Sequence, residues 1–310
     1  MSALMELRTL KRVKSEHTHN KVAYLFLLPW ILGLTLITAV PLIASLVLSF
    51  TNYRLMRRTI DFVGVQNYVD MVHDPTLWKS VSVTLIYVVV STPLQLAVAL
   101  LIAVLLNQGM KGLSFYRSVF YLPSLMGGSV AIALLWTKIF GAQGLIPVVL
   151  TALGLLDSPA HSFLGDPNTA LITIMALHIW TFGSPMVIFL AGLRQIPTMY
   201  YEAASVDGAS KFTQFWRITM PLLSPIIFFN LVLQVIGAFQ AFTQAYIVSN
   251  GTGGPVDSTL MYSLYLYQVI FKQSFKMGYA SAMAWLLVVF IGIFTAAAFA
   301  TSKYWVFYED

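Results

Sequence analysis

The chain has 310 residues, 58% of them hydrophobic and only 10% charged. A soluble domain is about a quarter charged, so the deficit points to lipid as the main solvent. The net charge of +6 comes from basic residues scattered at the ends of apolar runs, which argues against a nucleic-acid partner. The lack of cysteine excludes a disulfide framework, a thiol nucleophile and a cysteine-ligated metal.

Residues 1–21 are polar and basic, and the apolar run behind them is too long for the core of a cleavable signal. They read as a cytoplasmic N-terminal tail. A helix crossing the ~30 Å hydrocarbon layer needs about 20 mainly apolar residues. Six stretches meet that test: Val22–Phe50, Val81–Leu106, Val119–Ile139, Ala170–Leu193, Leu222–Val248 and Tyr279–Ala300. As a helix, Leu145–Leu156 would reach only about 18 Å, and it reads as an interfacial or re-entrant piece. With the N-terminus inside, eleven Lys and Arg fall on the cytoplasmic side and seven on the other. The loop Gly141–Thr169 holds neither, as suits an external loop. The predicted fold is therefore an all-α integral membrane protein with six transmembrane helices, N-in and C-in.

None of these spans carries Asp, Glu, Lys or Arg well inside it. Ion-coupled carriers generally need such groups, although unwound backbone carbonyls can also hold sodium. An ion-coupled secondary carrier or a channel for a small polar solute is thus the alternative reading. No G-x-x-x-x-G-K-[ST] phosphate loop occurs, so ATP is not hydrolysed by that route. No cluster of His, Asp and Glu near a span end supports an integral-membrane enzyme.

The fourth span contains "HIWTFGSPMVIF". Its Gly-Ser-Pro implies a kink or local unwinding, and discontinuous helices commonly mark transport sites. Trp180, Thr181 and Ser184 are the pathway candidates there, whereas His178, alone, reads as a packing or hydrogen-bonding side chain. The loop behind this span should form a short helix over Thr198–Val206, with Thr198 as N-cap. Asp207-Gly208 then breaks it. A second short helix should follow, with Phe212, Phe215 and Trp216 on one face, before Pro221 enters the first turn of the next span. Glu202 offers a charge and Ala203 and Ala204 a close approach to a docking partner. An amphipathic helix lying on lipid headgroups fits the same residues, and the chemistry alone leaves both readings open.

The fifth span carries the amides Asn230, Gln234, Gln240 and Gln244 among Phe239, Phe242 and Tyr246. Hydrogen-bonding side chains and aromatic faces are what a sugar path needs, although interhelical amides also simply hold spans together. Gln234 and Gln240 are the candidates for the path, while Asn230 and Gln244 read as structural.

The stretch "YEAASVDGAS" and the residues directly C-terminal to it resemble the EAA loop of the permease subunits of bacterial ABC importers. That pattern is E-A-A, three residues, G, nine residues, I-x-L-P. Here it is met by Glu202-Ala203-Ala204, Gly208, Ile218 and Pro221, with Met220 in place of the leucine. "VGVQNYVDMV", "LLNQGMKGLSFYRSVFYLP", "SNGTGGPVDST" and "GYASAMAWLL" are similar to the carbohydrate-type, maltose-permease-like branch. Lacking a large external insert, the chain resembles that branch's shorter, lactose- or glycerol-phosphate-type members.

The resemblance implies a six-span permease domain over 22–307, with its EAA loop at 196–221. It implies coupling helices, formed by Glu202, Ala203, Ala204, Asp207, Gly208 and Phe212, that sit in a groove of a cytoplasmic ATPase. It places a sugar site around Gln234–Ala241, where Gln234, Phe239 and Gln240 would contribute. The implied partners are a second, homologous permease subunit in a heterodimer, two ATP-binding subunits and an extracytoplasmic solute-binding protein. This chain would be a non-catalytic, multi-pass subunit of the bacterial inner membrane with no metal or cofactor of its own, ATP and Mg being held by the ATPase. The Gly-rich loop Ser249–Thr259 would shape the outer gate and help to contact the binding protein.

Overall fold

The computed structural model describes residues 23–56, 60–109, 112–273 and 275–307. The expected tail 1–21 lies outside them, as do Arg57, Arg58 and Lys111. Among the described residues the regular elements are helices. The extended contacts there are two isolated bridges, Thr51–Phe62 and Arg54–Lys276.

The chain divides into two units. The first comprises the chain up to Tyr68 together with Lys276–Ala282. Its helix α1 (Ala23–Leu48) buries none of its apolar window inside the chain, so its whole circumference is left for lipid or another apolar surface. At its end, Asn67 Nδ2 donates to the carbonyls of Ser49 (2.8 Å) and Thr51 (2.9 Å), and the Tyr68 hydroxyl donates to Ser49 Oγ. In the loop after α1, Asn52 and Asp61 pair through side chain and backbone. A short helix α2 (Gln66–Val72) closes this part of the chain.

The second unit comprises Val69–Phe275 and the chain from Met283 onward. Its centre is α3 (Pro75–Leu106), which starts sharply because Asp74 accepts from the amides of Thr76 and Leu77, with Pro75 at N1. Asp74 also accepts from the Tyr265 hydroxyl at 2.6 Å, which ties the start of α3 to α13 (Tyr262–Gln268). Ala99 and Ala103 of α3 are fully buried against Met186, Phe189, Leu190 and Leu193 of α8 (Gly183–Leu193). Small residues of this kind let helices approach closely where lipid supplies no hydrophobic drive.

The third expected span differs from Val119–Ile139. The structure forms α4 (Leu113–Met126) and then, after Gly127–Ser129, α5 (Val130–Phe140) and α6 (Leu145–Ala152). Gly127 is the reason: its amide closes onto the Pro123 carbonyl at 2.7 Å, and a Cβ there would collide with the Thr181 side chain. Ser129 then caps α5 by accepting from the Ile132 amide. By length and hydropathy the spanning stretch is Val130–Ala152, which takes in part of the piece expected to be interfacial or re-entrant.

Helices α7 (Ala170–Trp180) and α8 form a bent pair, turned by 40° at Thr181-Phe182, beside the Gly-Ser-Pro expected to kink. Then come α9 (Thr198–Val206), α10 (Lys211–Gln214) and α11 (Met220–Phe239). The second short helix expected to carry Phe212, Phe215 and Trp216 is confined to Lys211–Gln214 as α-helix. A wide π-helical turn, Phe215–Thr219, carries it directly into α11. The last elements are α12 (Thr243–Val248), α13 and α14 (Met277–Ser302). After α14 the chain folds back onto α11: the Phe307 amide donates to Ser224 Oγ at 2.8 Å, and the Trp305 ring packs edge-on against Phe228. Among the described residues, five helical stretches are long and apolar enough to cross a bilayer, or six if the bent α7–α8 pair is one span.

Candidate functional site

The residues expected to couple to a partner form a corner between α9 and α10. Pro197 rather than Thr198 precedes the first helical residue, and no side chain caps it. Helix α9 ends in a Schellman turn: the Gly208 amide reaches the Ser205 carbonyl (3.1 Å) and the Ala209 amide the Ala204 carbonyl (2.9 Å). Gly208 takes φ +77°, a left-handed conformation that L-residues rarely adopt. Ser210 then starts α10 by accepting from the Thr213 amide. Gln214 Nε2 donates back to Ser205 Oγ and the Ala209 carbonyl, and the hydroxyls of Tyr201 and Thr219 meet at 2.9 Å. These bonds fix the corner from its inner side. Its outer side is bare: Glu202, Ala203, Asp207 and Gly208 are exposed, as are Val206 (89%) and Phe212 (74%). Ala204 is half-buried. Beside the corner lies an apolar cleft of about 440 Å³, with Tyr200, Ala203, Arg217, Pro221 and Phe307 among its walls. The arrangement presents small, acidic and aromatic side chains on an exposed frame held by hydrogen bonds.

The second set of candidates gathers at the α7–α8 break. There Gln95 Nε2, from α3, donates to the carbonyls of His178 (3.0 Å) and Thr181 (3.2 Å) and to Thr181 Oγ1 (3.1 Å). Ser124 of α4 donates from its hydroxyl to the Thr181 carbonyl (2.8 Å) and accepts from the Ser184 amide (2.9 Å). The break frees backbone groups that lipid cannot satisfy, and these two side chains satisfy them. Trp180 is half-buried and packs against Trp136, whose indole N–H donates to the Thr173 carbonyl. His178 lies 5.4 Å from the Tyr87 ring, as a packing histidine would.

Gln95 and Ser124 were not singled out from the sequence. An amide and a hydroxyl inside apolar runs were the available signal, but their partners lie 86 and 57 residues away. Gln95 is 1% exposed. We expect Gln95→Leu to orphan the carbonyls at the break and to cost about 1 kcal/mol of stability. It should lower the denaturant midpoint of the purified chain, and an unchanged midpoint would show that the break is self-supporting.

The candidates of the fifth span do not share one surface. Gln234 is half-buried and Gln240 exposed, just past the end of α11. Phe239, expected as a stacking face, is 2% exposed and packs against Phe294, so it is a core side chain here. Asn230 donates to its own helix at the Ile226 carbonyl, and Gln244 holds the Gly127 carbonyl at 3.1 Å, both in structural roles. In the Gly-rich loop, Gln268 Nε2 and Lys272 Nζ both donate to the Gly251 carbonyl at 3.0 Å. Among the described residues no group of three or more His, Asp and Glu is placed to hold a metal.

Several apolar spans, one of them broken at a turn held by buried polar side chains, and an exposed two-helix corner define a multi-pass membrane transport protein. Residues 63–304 match the family described as binding-protein-dependent transport system inner membrane component, and the chain belongs to that family. It is similar to a probable ABC transporter permease protein, YesP, of Bacillus subtilis, with 49% identity covering 97% of this chain and 96% of that one. It is also similar to the lactose transport system permease protein LacF of Rhizobium radiobacter, at 30% identity over 96% and 99%. Among solved structures, a bacterial alginate ABC transporter in complex with an alginate pentasaccharide-bound periplasmic protein matches with a TM-score of 0.80. There the identity is 21%, and 94% of this chain and 97% of that one are covered. The chain is thus a non-catalytic permease subunit of the inner membrane and depends on a binding protein for its cargo.

Proposed function

We propose that the chain forms half of the translocation path of an ATP-driven ABC importer for a sugar, oligosaccharide or related glycan. An extracytoplasmic binding protein delivers the cargo. A second, homologous permease subunit completes the path as a heterodimer, and two ATP-binding subunits, which hold ATP and Mg, dock from the cytoplasm. In this reading both termini are cytoplasmic, and 196–221 is the docking loop. The sugar names of relatives such as LacF support the cargo class.

The observation that carries the reading is the α9–α10 corner. Its inner side is locked by hydrogen bonds, its outer side is bare, and its second helix runs without interruption into α11. A shape change in a docked ATPase is thereby delivered to the span bearing Gln234. Trp180, Thr181 and Ser184 at the α7–α8 break, with Gln234 and Gln240, line the path. Phe239 joins them only if α11 moves away from Phe294.

Glu202 lies on the bare side, where charge reversal juxtaposes like charges with an acid-binding partner. We expect Glu202→Lys to lower ATP-dependent sugar uptake by about tenfold or more, with the chain still inserted at normal abundance. Uptake that persists in cells lacking every ATPase subunit for this importer would overturn the proposal.

A further inference from the structure

Helix α4 has three distinct faces. Leu113 and Phe120 pack on the buried cluster that contains Leu190 and Leu193 of α8. Phe115, Val119 and Leu122 are exposed and apolar, as suits lipid. Between these sides runs a polar face, Ser114, Arg117, Ser118 and Tyr121, at the i, i+3, i+4, i+7 spacing. It borders a cleft of about 540 Å³ whose opposite wall is Ser184 and two aliphatic side chains of α8.

The cleft has a direction. Gly183 stands directly against Phe120 and Tyr121, so Tyr121 and Ser184 lie at the level of the α7–α8 break. Ser114 belongs to the first turn of α4, about 10 Å from Tyr121 along the helix. The groove thus leads from the break toward the end of α8 that carries the α9–α10 corner.

A polar face beside an apolar half-span must meet water or protein, because hydrocarbon leaves its groups unsatisfied. The arginine in the second turn of α4 fits water, since its guanidinium stays charged whatever surrounds it. Ser118 Oγ donates to its own helix at the Ser114 carbonyl (3.1 Å) and keeps its lone pairs for an incoming hydroxyl. Tyr121, Ser118 and Ser114 follow one another at about 4.5 and 6 Å along the axis. A saccharide moving past them exchanges one weak hydrogen bond for the next and is never held tightly. A space of a few hundred Å³ takes one or two sugar rings.

We infer that the α4–α8 cleft is the cytoplasmic leg of the sugar path, a water-filled groove down which cargo leaves the α7–α8 break along Tyr121, Ser118 and Ser114. The inference rests on the proposed reading that the break lines the path.

The chain lacks cysteine, so single thiols can be placed along the groove without background from this subunit. The variants are Ser118→Cys and Ser184→Cys, with Val119→Cys on the lipid side as control. Each is studied in the complete importer in nanodiscs, together with the binding protein. The probe is MTSES, a charged thiol reagent that reacts in water and is excluded from hydrocarbon. Without nucleotide, both groove thiols should react about tenfold or more faster than the one at position 119. An importer must shut its inner mouth while the outer one is open. ATP held by hydrolysis-deficient ATPase subunits should therefore slow the reaction of Ser118→Cys about tenfold. Co-purification of the ATPase subunits with each variant establishes that the complex is intact.

A thiol at 118 that reacts no faster than the one at 119 means that lipid or another subunit fills the cleft, and the inference is lost. A fast thiol at 118 that ignores ATP marks a wet notch of surface and overturns it too. So does an unreactive Ser184→Cys, because the groove would then stop short of the break. In each of these cases ATP-driven uptake of sugar by the wild type remains and the importer reading stands. Absence of ATP-driven uptake for every sugar would be the failure of that reading itself.

Discussion

Alanine at Gly183 should cost the chain most of its folded yield. A Cβ built there lies 2.5 Å from the Phe120 carbonyl oxygen, 2.7 Å from Tyr121 Cα and 2.8 Å from Ser124 Oγ. Two of those atoms are backbone, so no side-chain rotation relieves the clash and α4 itself must retreat. Retreat pulls Ser124 off both the Thr181 carbonyl and the Ser184 amide. Overpacking costs about 1–3 kcal/mol, and the two hydrogen bonds add about 1 kcal/mol each. A loss of that size is a large part of the roughly 5–15 kcal/mol that holds a domain together. The monodisperse fraction after detergent extraction should fall several-fold. Gly237→Ala is the control, because a Cβ there meets nothing within 4 Å. That substitution should be neutral or stabilise the helix by about 0.5 kcal/mol. Equal yields for the two variants would mean that α4 and α8 are not held as closely as described.

The second large effect concerns transport rather than folding. Gly208 sits at φ +77° in open space, so a larger residue meets strain and no clash. Forcing an L-residue into that conformation costs about 1–2 kcal/mol, and a β-branched one suffers most. Since 1.4 kcal/mol is about a factor of ten in a population, Gly208→Val should lower ATP-dependent uptake about tenfold. Membrane abundance should stay unchanged, because the corner is exposed and its loss uncovers no core. Gly208→Asn, which tolerates the left-handed region, should retain most of the uptake. Uptake measured against abundance by immunoblot separates the two quantities. A valine variant as active as the wild type would remove the corner from the coupling mechanism.

Hydropathy was enough to place five of the apolar stretches, because lipid imposes a length and a composition that single residues cannot disguise. It failed at Gly127–Ser129, since averaging over a window hides Gly127, whose missing side chain lets Thr181 approach. The Gly208 turn was legible because the Asp-Gly step and the residues around it act locally. The junction of α10 with α11 was not, as Lys211, Gln214 and Arg217 look like surface punctuation while the backbone continues through a π turn. The break in the fourth span could be read from Gly183-Ser184-Pro185. Its support could not, because Gln95 and Ser124 come from helices that only the tertiary structure brings alongside. Phe239 illustrates the remaining gap. Periodicity states which residues share a side of a helix, but the neighbouring helix decides whether that side faces cargo or core.

The return of the chain after α14 has a practical side. Phe307, pinned by its amide to Ser224, walls the cleft that also borders Ala203 and Pro221. An affinity handle or fluorescent fusion placed directly behind Phe307 would begin at the wall of that cleft. It would crowd the surface that the corner offers to its partner. Purification and imaging of the working complex therefore call for a handle placed away from Phe307, and a fusion at that point should itself behave as a mild inhibitor.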